Sequence, residues 1–191
     1  MTSAEEIHFR QIPWCADLLR DPEWKSCSTS SRKAKGSTED SFFAETLKSD
    51  RTIRKLLSMY REACEDLDPP IREVRTLMDL GNGVNGHPDL CHGGFVATML
   101  DEVCGVLLTI NLEREQNLKR GQFAHTSLNL FTAYININYK KPVPTPSVVL
   151  CTAKIDKRVR NKLYVLGTVE DGNGTIYATS EALFVEPRSK I

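Results

Sequence analysis

The chain has no excess of charge. Its 25 Lys and Arg balance 25 Asp and Glu, so nothing in the overall composition attracts a polyanion and no nucleic-acid partner is expected. It has no C-x-x-C pair. The six cysteines (Cys15, Cys27, Cys64, Cys91, Cys104 and Cys151) are scattered, which argues against a zinc site and a disulfide framework and leaves reduced packing residues. His87, Cys91 and His92 lie close together, but no second ligand pair follows at useful spacing, and no metal is expected. The N-terminus, MTSAEEIHFRQIPW, lacks the basic-then-apolar order of a secretory signal, and no uninterrupted apolar run approaches membrane-spanning length. A soluble, cytoplasmic protein is expected; the acidic start opposes a transit peptide but leaves a mitochondrial address open. No G-x-S-x-G elbow occurs, and His8, His87 and His125 stand in no triad order, so Ser-His-Asp chemistry is not expected.

What is present is one domain's worth of chain, 191 residues, with 40% hydrophobic residues. Residues 1–45 hold short apolar pieces around Trp14 and Leu18 and a polar run, SCSTSSRKAKGSTED, which predicts a partly ordered arm. Apolar residues at Ile53, Leu56, Leu57 and Tyr60 predict a helix over about 50–66, stopped by Pro69-Pro70. Ile71 to Leu80 has strand character. From Gly93 to about Leu112 the chain is apolar almost all round, with Asp101 and Glu102 its only charges, the pattern of a helix enclosed by its surroundings. Four strand candidates follow, LNLFTAYININYKK, SVVLCTAKID, KLYVLGTVED and TIYATSEALFVE, with no helix between them. The expected architecture is α+β, one antiparallel sheet curled around one long helix.

Gly81, Gly83 and Gly86 fit G-x-G-x-x-G, but Pro88 and Asp89 interrupt the segment and no βαβ unit surrounds it, so a simple glycine turn is expected. His92-Gly93-Gly94, which opens the buried helix, carries the sharper signal. A helix N-terminus presents unpaired N–H groups, and glycine lets a carbonyl approach without a Cβ in the way, the geometry of an oxyanion hole. Asp101 is a carboxylate in an apolar helix, on a face shared with Gly94, Ala97, Thr98 and Gly105, so it is expected to be paired, hydrated or useful where something approaches closely, or else to cap a neighbouring strand's backbone. Glu102, a quarter-turn away, is expected to be exposed or paired.

The run H-G-G-F-V-A-T-M-L-D-E resembles the signature of the hotdog-fold acyl-CoA thioesterases of the phenylacetate type. Thr132-Ala-Tyr-Ile-Asn-Ile-Asn-Tyr-Lys-Lys-Pro142 is similar to the matching strand of mammalian thioesterase superfamily members. The arm is similar to those of small fungal members. The resemblance implies a hotdog domain over 46–191, including the leading helix, and hydrolysis of acyl-CoA without a cofactor. It implies that Asp101 is general base or nucleophile, that Gly93 donates its N–H to the thioester carbonyl with His92 setting the loop, and that Thr132 places the water. The family's asparagine falls six residues before the histidine, where this chain has Gly86; Asn85 fills the role if the loop carries a one-residue insertion. Asn138 and Lys140 match positions that contact the nucleotide end of CoA.

Strand alternation places Thr132, Tyr134, Asn136, Asn138 and Lys140 on one face. The turn KIDKRVRNK adds cations, of which Arg160 and Lys162, with Asn161, sit nearest its tip and are the phosphate candidates, while Lys154, Lys157 and Arg158 read equally well as solvated surface. From Gly94 to Asp101 a helix rises roughly 10 Å at about 1.5 Å per residue, so one small acyl carbon cannot touch both. If both serve one reaction they come from different chains, and a homodimer or dimer of dimers is expected. Two further readings stay open. A hotdog hydratase or dehydratase needs a histidine partnered with the helix acid, and none lies between His92 and His125. A non-catalytic acyl-thioester-binding protein would account for the displaced asparagine.

Overall fold

The computed structural model describes residues 2–118 and 130–186. The chain forms short helices α1 (Ala4–Phe9) and α2 (Pro13–Leu18), then β1 (Trp24–Cys27), β2 (Ile53–Arg61) and β3 (Glu73–Leu80). A small hairpin of β4 (Asn85–His87) and β5 (Leu90–Cys91) leads into α3 (Gly93–Leu118). Strands β6 (Phe131–Tyr139), β7 (Ser147–Val159), β8 (Lys162–Glu170) and β9 (Ile176–Val185) complete the fold. Seven strands form one antiparallel sheet in the order β1-β2-β3-β7-β8-β9-β6. It curls around α3 as the pattern of apolar residues predicts. The last four strands start and stop within a few residues of expectation; the first residues expected for β6, Leu128 and Asn129, lie outside the described residues, as does His125.

Helix α3 runs six residues beyond Leu112. Its side chains Val96, Met99, Leu100, Val103, Cys104 and Leu107 are buried against β3, β7, β8 and β9. By length and a mean hydropathy of 1.6 it is long and apolar enough to cross a bilayer, but half of that apolar window is enclosed by this chain's own sheet. Each fully buried Leu or Met contributes about 1.5–3 kcal/mol, so covering this helix organises the fold.

Residues 53–61 form a strand where a helix over about 50–66 is predicted. The apolar spacing that mimics a helix has two physical sources. A register shift between Ile53 and Lys55 reverses the side-chain parity, so Ile53 and Leu56 both face α3. The other face is buried as well, because Leu57 and Met59 lie under residues 1–27. A strand covered on both sides loses the alternation that would announce it.

Residues 1–45 are more ordered than their composition predicts. Phe9, Cys15 and Trp24 bury against Leu57, Met59, Leu77 and Leu150 on the outer side of the sheet. His8 Nε2 lies 2.9 Å from Asp79, which also accepts from Arg54 at 2.5 Å. The polar run then turns over the sheet edge and spends its polarity on backbone. Arg32 donates to the carbonyls of Phe43, Leu47 and Ile53 at 2.8, 3.1 and 3.1 Å, and Thr29 donates to the buried Ser58 at 2.7 Å. Charged and hydroxyl side chains that bind carbonyls and buried hydroxyls order a segment without any apolar signature. Phe9→Ala is expected to lower stability by about 3–5 kcal/mol in denaturant titrations; a loss below about 1 kcal/mol would show that the arm is not held by this cluster.

Candidate active site

Three features of the loop before α3 prepare its N-terminus. The Gly81 and Gly83 amides donate to the Thr52 and Arg51 carbonyls at 2.7 and 2.6 Å, and a Cβ at either glycine would stand 2.6 Å from the Arg51 backbone. These glycines serve chain packing, as the glycine-turn expectation holds. A Cβ at Gly86 would meet the His92 side chain at 2.9 Å, so the residue in the family's asparagine position is one that lets His92 lie flat on the hairpin. Asn85 is turned elsewhere, its Oδ1 accepting from the hydroxyl of buried Thr145.

His92 caps the helix. Its Nδ1 accepts the Gly94 N–H at 2.9 Å, and its carbonyl accepts from Phe95 and Val96 at 2.9 and 3.1 Å. A neutral ring that accepts through Nδ1 carries its proton on Nε2. Among the described residues the Gly93 N–H has no acceptor. Gly93 is exposed, and its carbonyl is held by Tyr139 Oη, which donates at 3.0 Å. The result is one open amide at the positive end of a 26-residue helix, with the next amide tied down.

Two turns on, Thr132 Oγ1 donates to Asp101 Oδ1 at 2.9 Å. This contact exists because β6 is bulged. Thr132 pairs with Phe184 and Tyr134 with Leu183, leaving Ala133 unpaired. The extra residue puts Thr132 on the helix side of the sheet with Ile135, Ile137 and Tyr139, and puts Tyr134, Asn136 and Asn138 on the other side. The single polar face expected from strict alternation is therefore split. Strict alternation sets Tyr139 and Thr132 on opposite faces; the bulge puts both on the helix side, and nothing in the sequence marks it.

Of the two acids, Glu102 is paired as expected, while Asp101 is not enclosed. Asp101 is exposed in this chain, and Glu102 is the half-buried one, accepting from Ser31 of the arm. Burial pushes the Glu102 carboxyl up to about 7, helped by Asp40 and Asp101 and opposed by the Ser31 hydroxyl and Arg32. Sequence periodicity could not find this, because the cover comes from the arm.

Asp101, Glu102 and Thr132 line one end of a cavity of about 550 Å³, and Asn161, Lys162 and Arg158 line it as well. His92, Gly93, Gly94, Asn85, Asn138, Lys140 and Arg160 do not. Arg160 sits at the β7–β8 turn with φ 55°, and neither it nor Lys162 has an ion-pair partner among the described residues. Asn161 donates to the Glu186 carbonyl at 2.8 Å. The rest of the basic run is partnered: Arg158 with Asp68 and Glu186, Lys154 with Glu73, and Lys157 with Asp156 and the face of Tyr164. Among the described residues, no three His, Cys, Asp or Glu side chains are grouped to hold a metal ion. All six cysteines are free, and burial pushes the Cys104 thiol up to about 12.

A helix enclosed by a curled antiparallel sheet, with a glycine-capped N-terminus, is the hotdog arrangement, and residues 89–178 match the family model described as Thioesterase superfamily. Over these 90 of its 191 residues the chain is similar to the thioesterase superfamily. Verlamelin biosynthesis protein B of Lecanicillium sp. is 28% identical over 181 residues, 82% of this chain and 78% of that one. Acyl-coenzyme A thioesterase THEM4 of Bos taurus is 32% identical over 117 residues, 60% of this chain and 42% of the relative, so the chain spans less than half that protein's length. A hypothetical thioesterase protein of Streptococcus pneumoniae, solved with coenzyme A, superposes with a TM-score of 0.50 and 16% identity, covering 61% of this chain and 79% of that one; this likeness is one of fold.

The Glu102 environment makes a pH prediction. Below about 4.5 its carboxyl is neutral whether the chain is folded or unfolded; between about 4.5 and 7 the unfolded chain ionises first, so stability falls as pH rises through that window. Glu102→Gln removes this loss. Its Tm relative to wild type is expected to climb between about pH 5 and pH 7.5, and parallel Tm curves would show that Glu102 is not held in this environment.

Proposed function

We propose that this chain hydrolyses acyl-CoA thioesters to a free acid and CoA. The observation that carries the proposal is the pairing, on one helix, of an open amide at Gly93 with a carboxylate at Asp101 held by Thr132. The name of the bovine relative points the same way. Asp101 takes a proton from water, and the hydroxide oxygen bonds to the thioester carbon. The carbonyl oxygen becomes an oxyanion and rests on the Gly93 N–H. The intermediate then collapses, the C–S bond breaks, and the sulfur leaves with the proton from Asp101. Thr132 holds one oxygen of the carboxylate so that the other faces the water. His92 acts through the loop, by occupying the Gly94 amide and fixing where the open one points.

The site is a composite of two chains. Eight residues of helix separate Gly93 from Asp101, about 12 Å of rise, and the two do not line one cavity within the chain. Strand β6 is an edge with almost every residue exposed, including Phe131, Tyr134 and Tyr139, and an unpaired apolar edge favours a second copy. Across a two-fold axis, Gly93 of one α3 meets Asp101 of the other. Arg160 and Lys162, cations without ion-pair partners among the described residues, bind CoA phosphates, with Asn161 shaping the turn between them; Asn138 on β6 and Lys140 just after it approach the nucleotide end. Gly94 lets the acyl carbon pass close to the helix.

Free-thiol release from a panel of acyl-CoAs tests this directly. Asp101→Asn is expected to lower kcat about 10²–10⁴-fold with the dimer mass unchanged by light scattering. No turnover by wild type would overturn the hydrolytic reading in favour of a binding protein, and a fully active monomer would overturn the two-chain site. Replacing Arg160 and Lys162 with Gln is expected to raise KM for acyl-CoA and leave the KM for an acyl-pantetheine unchanged; equal effects on both would remove them from phosphate binding.

A further inference from the structure

Gly105 stands one turn beyond Asp101 inside α3 and lines the same cavity. Glycine in a helix interior is unfavourable relative to alanine, so its presence calls for a reason. Close packing is not that reason, because a Cβ built on Gly105 has no atom within 4 Å. The space it leaves is open, and it opens into the cavity.

From Gly105 the cavity continues along one stripe of the helix. Asp101, Gly105, Leu108 and Leu112 share a face, spaced four, seven and eleven residues from the acid. Opposite them stand Leu163 and Phe184. Pro69 and Pro70 form the third wall, which Asn111 clamps in place: its Nδ2 donates to the Ile71 carbonyl at 2.9 Å and its Oδ1 accepts the Ile71 N–H at 3.0 Å. Charged pairs, Arg114 with Glu65 and Arg158 with Asp68, border this apolar path toward solvent. The polar end, at Asp101 and Thr132, is where a thioester would react.

We infer that this path receives the acyl chain of the substrate, and that Gly105 is the residue that admits chains long enough to run along it. The inference rests on the thioesterase reading. Asp101 to Leu112 is about 16 Å of helix, and a fully extended chain advances about 1.2 Å per bond, as three backbone bonds span at most about 3.6 Å. The path therefore holds an aliphatic chain on the order of a dozen carbons. A side chain at Gly105 would fill the passage immediately after the reacting carbon.

The test compares wild type with Gly105→Ala and Gly105→Leu on acetyl-, hexanoyl-, dodecanoyl- and hexadecanoyl-CoA, with dimer mass and Tm measured for each. In Gly105→Leu the ratio of kcat/KM for dodecanoyl-CoA to that for hexanoyl-CoA is expected to fall at least roughly 10-fold, and Gly105→Ala to fall between. In parallel, titration calorimetry follows binding of non-hydrolysable dodecanoyl and hexanoyl thioether analogues of CoA. Wild type should bind the longer analogue more tightly, and Gly105→Leu should lose that preference. A chain-length profile unchanged in both variants, or a loss equal at every length, overturns the inference. If wild type turns over no acyl-CoA, the hydrolytic reading fails alone, and the binding arm still decides Gly105: length preference abolished by leucine supports it, and no preference overturns it.

Discussion

Covering α3 is the constraint on which the rest of the structure depends. A helix apolar on most sides cannot be left to water, and a single antiparallel sheet covers it only by curling. Once curled, the sheet decides where the helix ends emerge. The N-terminus surfaces at the β4–β5 hairpin, where it keeps one amide unpaired, and the C-terminal half leaves the sheet beside the 65–70 segment, where a cavity remains. Both candidate chemical features are consequences of how far the sheet reaches along the helix.

The polar residues in this structure work by denying alternatives. His92 takes the Gly94 amide and leaves Gly93 as the donor; Tyr139 fixes the Gly93 carbonyl; Thr132 takes one oxygen of Asp101. Each interaction is worth only about 0.5–3 kcal/mol in stability, but together they remove the rotations by which an exposed loop and an exposed acid would otherwise lose their aim. In the proposed hydrolysis, a site prearranged in this way would need little movement when charge develops. The arm contributes at a distance, since Ser31 holds Glu102 beside Asp101 and burial there raises the Glu102 carboxyl above the usual carboxylate range.

The elements that sequence reading placed well are those with one dominant environment. Helix α3 and strands β3, β7, β8 and β9 each repeat a single pattern over many residues, and the H-G-G run and Asp101 stand out against it. Reading failed where two environments overlap. Strand β2, buried on both faces and shifted in register at its start, has the apolar spacing of a helix. The arm is ordered by side chains binding carbonyls and a buried hydroxyl, which composition reports as polarity. The bulge at Ala133 reverses parity on β6 and exchanges which side chains reach the helix.

The sequence by itself determined the class of fold, the enclosed helix and the residues that carry the thioesterase resemblance, because those depend on local periodicity and on residue types at short spacing. Tertiary structure alone decided which of the adjacent acids is covered, that Thr132 meets Asp101, that Asn85 turns to Thr145, and that Gly105 faces open space. These are contacts between segments thirty or more residues apart, or the absence of any contact. No local pattern encodes them, since each depends on where a distant strand or arm comes to rest.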